Sequence, residues 1–322
     1  MTPDFRPTAS IAVLRERARL LGLCRVFFEA RRVLEVETPI LAHATVTDPQ
    51  LASLATRIAG EEQPFFLQTS PEYAMKRLLA AGSGDIFQIG KVFRDGERGR
   101  NHNPEFTLLE WYRIGFDHHA LMDEVAALLE LLLGPQLRQP VERLSYREAF
   151  QRVLAVDPYD TPLPALAALA ARRTGIRTHE VEADRDTCLD LMMGALVGPA
   201  LGQGRISFVH EYPASQAALA RLLPGTHAVA ARFEAYVEGH ELCNGFHELA
   251  DAAEQRRRFE ADARTRASRG LPAAPLDERL LAALAAGLPD CAGVALGFDR
   301  VVMLATGART ISEVLSFAVD VA

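Results

Sequence analysis

Between Phe93 and Tyr112 the chain reads FRDGERGRNHNPEFTLLEWY, with Arg94, Arg98, Arg100 and His102 crowded into the polar stretch between two apolar runs. Reversing direction alone takes about two to five residues, so a basic loop of about ten is suited to holding an anion, with a solvated surface loop as the plain alternative. A second constellation lies in Arg232 to Leu242 (RFEAYVEGHEL), where Glu234 and Glu241 flank a Glu238-Gly239 turn. In an antiparallel hairpin turning there, the two carboxylates come roughly opposite one another on one face and repel unless a cation lies between them. That chemistry suits magnesium, a hard ion that takes one or two carboxylates and completes its shell with phosphates; two exposed rim glutamates are the alternative. A third acid, Glu72, follows Ser70-Pro71 in the first turn of a predicted helix, where its ordinary task is to favour the helix dipole.

The elements that must carry these groups can be read from pattern. Ser10 caps a helix expected to run to about Arg32, with Val13, Leu14, Leu21, Phe27 and Phe28 near one face. Val33 to Pro39 alternates like a strand and must end, or lie at an edge, at the proline. Phe65 to Tyr73 reads as a short strand entering a helix, with Ser70 at the cap and Pro71 at the first helical position. Asp85 to Val92 and Phe106 to Tyr112 are the strands around the basic loop. Ala120 to Leu133 is an amphipathic helix stopped by Gly134-Pro135, and residues from about 135 to 204 have a helical, proline-punctuated texture without evident chemistry. Ile206 to Val209 returns to strand pattern, and Gly293 to Leu304 passes from strand to helix through glycine.

With 322 residues, 49% of them hydrophobic, the chain can bury a large core. No run approaches the roughly eighteen apolar residues of a membrane span, and the start, MTPDFRPTAS, lacks the order of a signal peptide, so a cytoplasmic protein is expected. Cys24, Cys188, Cys243 and Cys291 have no paired spacing and are expected as buried thiols. The formal charge of −7 argues against a polyanion-binding surface; the one dense basic run, Arg256 to Arg269, reads as the solvated side of a helix.

The stretch around Arg94 resembles motif 2 of the class II aminoacyl-tRNA synthetases, closest to the lysyl-tRNA synthetase branch. The resemblance implies that Arg94 holds the amino-acid carboxylate and the ATP α-phosphate and that Phe106 lies on the adenine, with Asn103 nearby. Asp95-Gly96 stands where the family usually has Asn-Glu, and Glu97 follows one place later. The helix and strand ending at Pro39 resemble motif 1, the family's dimer interface, and Gly293 to Leu304 resembles motif 3. There Arg300 would cover the adenine and reach the γ-phosphate, with Gly297 at the turn. Ala295 stands where lysyl synthetases usually carry glycine. The segment Ser70-Pro71-Glu72 is similar to the one that lines the amino-acid pocket, with Glu72 at the substrate α-ammonium. Glu241-Leu242-Cys243-Asn244-Gly245-Phe246-His247-Glu248 resembles the lysyl-synthetase segment in which the later glutamate binds the ε-ammonium, a role that falls to Glu248 beside Glu110 and Tyr112. In that scheme Glu241 and Leu242 belong to the nucleotide site, Asn244 to the amino-acid site, and Glu234 with Glu241 to Mg²⁺.

The implied fold is α+β, one class II catalytic domain with a large antiparallel sheet flanked by helices and a helical insertion at about 135–204. Motif 1 begins within the first forty residues, which leaves no room for the anticodon-binding domain of a lysyl-tRNA synthetase. The resemblance therefore points to the lysyl-synthetase paralogues that modify elongation factor P. It implies ATP-dependent activation of lysine or (R)-β-lysine and transfer to a protein lysine by a homodimer, without tRNA. Two alternatives stay open: a truncated lysyl-tRNA synthetase-like enzyme acylating tRNA or a small amine, and a non-catalytic regulator on the same scaffold.

Overall fold

The computed structural model describes residues 5–177 and 184–322. In chain order its main elements are α1 (Ile11–Glu29), β1 (Leu34–Glu35), β2 (Leu41–Ala42), β3 (Ala55–Thr56), β4 (Phe65–Leu67), α2 (Glu72–Ala80), β5 (Ile86–Phe93) and β6 (Glu105–Ile114). There follow α3 (His118–Leu133), β7 (Glu142–Ser145), α4 (Tyr146–Leu154), α5 (Leu163–Thr174), α6 (Arg185–Met192), β8 (Ser207–Pro213), β9 (Leu222–Leu223), β10 (Val229–Val237) and β11 (His240–His247). The chain closes with α7 (Ala252–Ser268), α8 (Glu278–Gly287), β12 (Cys291–Gly297) and α9 (Phe298–Thr306). Contacts divide it into two compact units, residues 1–116 with 249–322, and residues 117–248.

In the first unit the strand order is β1-β5-β6-β12, and β2, β4 and β3 form a small separate sheet. β5, β6 and β12 are antiparallel, whereas the short edge strand β1 runs parallel to β5. The long pair β5–β6 forms because each strand offers an apolar run to the core: Ile86, Phe87, Val92, Leu108, Leu109 and Trp111 are all buried. On one face Gln88, Glu110 and Ala295 form a single cross-strand row. The Ser10 hydroxyl accepts from the Val13 N–H and so starts α1 as expected, but the helix ends at Glu29. Arg32 already has a positive φ of 58°, which closes the turn into β1 before an extended helix could reach it. Only Leu20, Cys24, Phe27 and Phe28 of α1 are buried, so the core-facing stripe is narrower than Val13 and Leu14 suggested. The strand expected over Val33–Pro39 shortens to two residues, at a sheet edge as the proline requires. α2 begins one residue late: Pro71 is its cap, and the Ser70 hydroxyl still accepts from the Glu72 N–H at 3.0 Å.

In the second unit the order is β11-β10-β8-β7, with β9 added on β10. β10, β11 and β8 are antiparallel, and β7 lies parallel to β8. Its core gathers Tyr146, Phe150, Leu166, Cys188, Met192, Val209 and Tyr212 among others. The segment 135–204 is largely helical, as its texture implied, but holds β7 as well; residues 178–183 of it lie outside the described residues, as do Met1 to Asp4 of the amino end. The α+β class with mainly antiparallel strands flanked by helices is therefore present in both units, with two parallel pairs that the sequence did not announce. The four cysteines are free and buried. Among the described residues no helix is long and apolar enough to cross a membrane.

Candidate active site

In the first unit, the loop after β5 is closed by the Arg94 N–H on the Pro104 carbonyl at 2.9 Å. The Arg94 guanidinium lies 5.1 Å from the centre of the Phe106 ring, a cation–π contact. Its other contacts are long, 3.4 Å from Nε to the Thr69 carbonyl and 3.5 Å from Nη1 to Glu97 Oε1. Bonds of that length are weak, so the guanidinium is aimed without being consumed. Glu97 thus lies beside that guanidinium, and position 96 has a φ of +77° that favours glycine. Asp95 is exposed and contributes its N–H to the Ala52 carbonyl. Asn103 is spent on structure: its amide donates to the Glu105 carbonyl and accepts from the Val319 N–H, which ties the C-terminal segment to the loop. His102 Nε2 meets Arg300 Nη2 at 2.9 Å; burial, then the Arg300 charge, lowers the imidazole's proton affinity, so it accepts from the guanidinium. The basic loop after β5 and the arginine of α9 are thereby joined side chain to side chain. Gly297 ends β12 and caps α9, which carries Arg300 in its first turn.

Deeper in the same unit is an acid cluster. Glu110, 2% exposed, accepts from Ser70 Oγ at 2.7 Å and from the Tyr112 hydroxyl at 2.8 Å. Burial pushes it up to about 7 and the Glu72 charge adds to this, while the Ser70 and Tyr112 hydrogen bonds and Lys76 hold it back. Glu72 itself accepts from Lys76 Nζ at 2.7 Å. Pro71 places Glu72 at the start of α2, and Ala295 lies directly across from Glu110 on β12. Lys76 and Gln88 belong to this cluster and were not read from the sequence. The i,i+4 spacing of Glu72 and Lys76 was the available signal for the first, and the alternation of β5 for the second.

In the second unit, the hairpin turns at Glu238-Gly239, with φ of 50° and 74°. The register differs from a plain hairpin: Glu234 pairs with Asn244, and Glu241 pairs with Tyr236, because a bulge intervenes between Ala235 and Tyr236. Glu234 and Glu241 are therefore offset along one face and do not stand opposite one another. Glu234 accepts from Arg232 Nη2 and from the Tyr236 hydroxyl, each at 2.6 Å, and Arg232 Nε donates to Asn244 at 3.1 Å. Arg232 is thus a resident counter-ion that the repulsion argument left out. Leu242 and Glu248 are buried, and the Glu248 carbonyl accepts from Arg221 Nε at 3.2 Å. Among the described residues no group of three or more His, Cys, Asp and Glu is arranged to hold a metal by itself. Two oxygen-donor carboxylates on one face fit only an ion that draws most of its shell from phosphate and water.

Along the whole chain, the family model described as tRNA synthetases class II (D, K and N) matches residues 3–321. The chain belongs to that family. Within it, this member is 52% identical to the elongation factor P--(R)-beta-lysine ligase of Klebsiella pneumoniae subsp. pneumoniae over 99% of this chain and 98% of the relative. It is 53% identical to the ligase of the same name from Vibrio cholerae serotype O1, over 98% and 97% of the two chains.

Proposed function

We propose that the protein activates (R)-β-lysine or lysine with ATP and transfers the aminoacyl group to the ε-amino group of a lysine on elongation factor P. The observation that carries this reading is the pairing of an aimed, incompletely committed Arg94 with a buried acid cluster in one unit, in a chain half identical to ligases of that name. The substrate carboxylate is ionised near neutral pH and attacks the α-phosphate without an enzymic nucleophile. Catalysis is then positioning and charge neutralisation: Arg94 at the carboxylate and α-phosphate, Phe106 against the adenine, Arg300 at the outer phosphates with His102 steadying it. Asp95 and Gly96 would shape the nucleotide side through backbone, with Asn103 and Gly297 as its structural rim. Ser70, Pro71, Glu72, Glu110, Tyr112 and Ala295 would form the amino-acid side in the first unit. Glu241 and Glu234 would hold Mg²⁺, which supplies charge for the phosphates when bound. The reading also includes a cytoplasmic homodimer, supported by the exposed apolar residues Ile11, Val26 and Leu34 on α1 and β1.

Arg94→Ala should abolish ATP–pyrophosphate exchange, with thermal unfolding unchanged within about 0.5 kcal/mol, since Arg94 makes only long contacts. Exchange near the unsubstituted rate would remove Arg94 from the chemistry. Intact-mass measurement of elongation factor P and of tRNA after incubation with ATP and each lysine isomer separates protein modification from tRNA charging.

A further inference from the structure

The acid cluster of the first unit contains a cation of its own. Lys76 is 1% exposed, and its ammonium is locked on Glu72 one helical turn away. Burying an ammonium costs several kcal/mol unless it is paired, so the Glu72 carboxylate is what allows Lys76 to stand there. The groups facing Glu110 are few. From α2 come Glu72 and Lys76, from the segment before it Ser70, from β6 itself Tyr112, and from the flanking strands Gln88 and Ala295, neither of which titrates. Among these described residues, two carboxylates against one ammonium leave one negative charge in excess. Gln88 adds a second observation: it is buried in the row with Glu110, and its carbonyl oxygen has no hydrogen-bond partner among the described residues. An acid in excess and an idle acceptor side by side describe a place made for an N–H cation.

We propose that Lys76 sets the charge count of this cluster: with its ammonium fixed on Glu72, the cluster accepts one further positive charge, carried by a proton on Glu110 at rest and exchanged for a substrate ammonium on binding. In the exchange the Glu110 carboxylic acid gives its proton to solvent, and the resulting carboxylate takes the ammonium; no other bond changes. The inference rests on the amino-acid-activating reading above and adds a positioning role for Lys76. That Glu110 is held up near neutrality is in keeping with the exchange.

The test is calorimetric titration of the full chain with lysine and with (R)-β-lysine between pH 5.5 and 7, below the range where the substrate amines titrate, in two buffers of different ionisation heat. Binding should release up to one proton, and affinity should fall towards ten-fold per pH unit on acidification. Glu110→Gln should abolish both the proton release and the pH dependence. Lys76→Met should move the break in affinity to higher pH, weakening binding by about five-fold at pH 7 and by only about two-fold at pH 8, and Lys76→Arg should restore it. Binding with no proton release and flat affinity in the unsubstituted protein would overturn the exchange while leaving the proposed reaction standing. Failure to bind either lysine at any pH would overturn both.

Discussion

Asp299 precedes Arg300 in the first turn of α9 and is 2% exposed. It accepts from Arg17 Nη1 of α1 at 2.5 Å and from the Thr107 N–H of β6 at 2.7 Å, while Arg17 Nη2 donates to Thr107 Oγ1 at 2.8 Å. One carboxylate therefore fixes the helix that carries Arg300 to two other elements of the first unit. Asp299→Ala leaves a guanidinium only 14% exposed without its acid and a buried N–H without its acceptor. Breaking a buried pair in that way costs about 3–5 kcal/mol, and Arg17→Met, which strands the carboxylate instead, falls in the same range. If the pair acts as a unit, the double variant costs little more than the worse single one, a coupling close to the smaller single cost, about 3 kcal/mol. Urea unfolding can follow it through Trp111, the chain's lone tryptophan, which is fully buried in this unit. In the milder Asp299→Asn, one acceptor oxygen remains for Thr107, and ATP–pyrophosphate exchange should fall about ten-fold or more as Arg300 loses its footing. Additive single costs with a coupling under about 0.5 kcal/mol would refute the claim that this pair positions motif 3.

Two further perturbations address the second unit. His118 is buried, neither ring nitrogen has a hydrogen-bond partner among the described residues, and burial, then the neighbouring His119, lowers it from about 6.5 to about 4. Between those values the unfolded chain binds a proton that the folded chain refuses, so this group's contribution is intact above about pH 6.5 and is lost as pH falls towards 4. Unfolding at pH 7 and pH 5 should show a smaller loss in His118→Phe than in the parent, a difference of at most about 1.4 kcal/mol per pH unit; equal losses would contradict the assignment. Gly202 has a φ of +73°, and a methyl there would lie 2.5 Å from the Tyr236 carbonyl oxygen, so Gly202→Ala should cost about 3 kcal/mol or more by urea unfolding. Gly22→Ala, in the open middle of α1 with nothing within 4 Å, should be neutral or stabilise by up to about 1 kcal/mol.

Where local chemistry decides an element, the sequence announced it. Ser10 starts α1, the Glu238-Gly239 turn closes β10 on β11, and the two apolar runs around the basic loop became β5 and β6. The Arg256–Arg269 run is largely the solvated side of α7, with Arg256 on Glu278 and Arg257 on Glu254. Arg266 departs from it: its buried guanidinium donates to the Asp48, Leu51 and Pro272 carbonyls. That pairing is with distant backbone, which no spacing within the helix reports. β7 was missed for a similar reason. Four residues, Glu142 to Ser145, have no alternation to read, and their strand exists because β8 offers a parallel edge 65 residues later in the chain.

The candidate site shows the same division between what a residue type offers and what its partner makes of it. Arg94 and Phe106 were named by the resemblance, and the loop flanked by strands does bring their two side chains together. The acids could be named too, but not their charges. Read as a list, Glu72, Glu110 and Glu234 call for outside cations; folded, Glu72 has Lys76 and Glu234 has Arg232. Mutual repulsion across the hairpin is therefore no reason for a metal at Glu234, since the bulge offsets the pair and a guanidinium already answers one member. The proposed divalent ion therefore rests on phosphate chemistry and not on repulsion between Glu234 and Glu241.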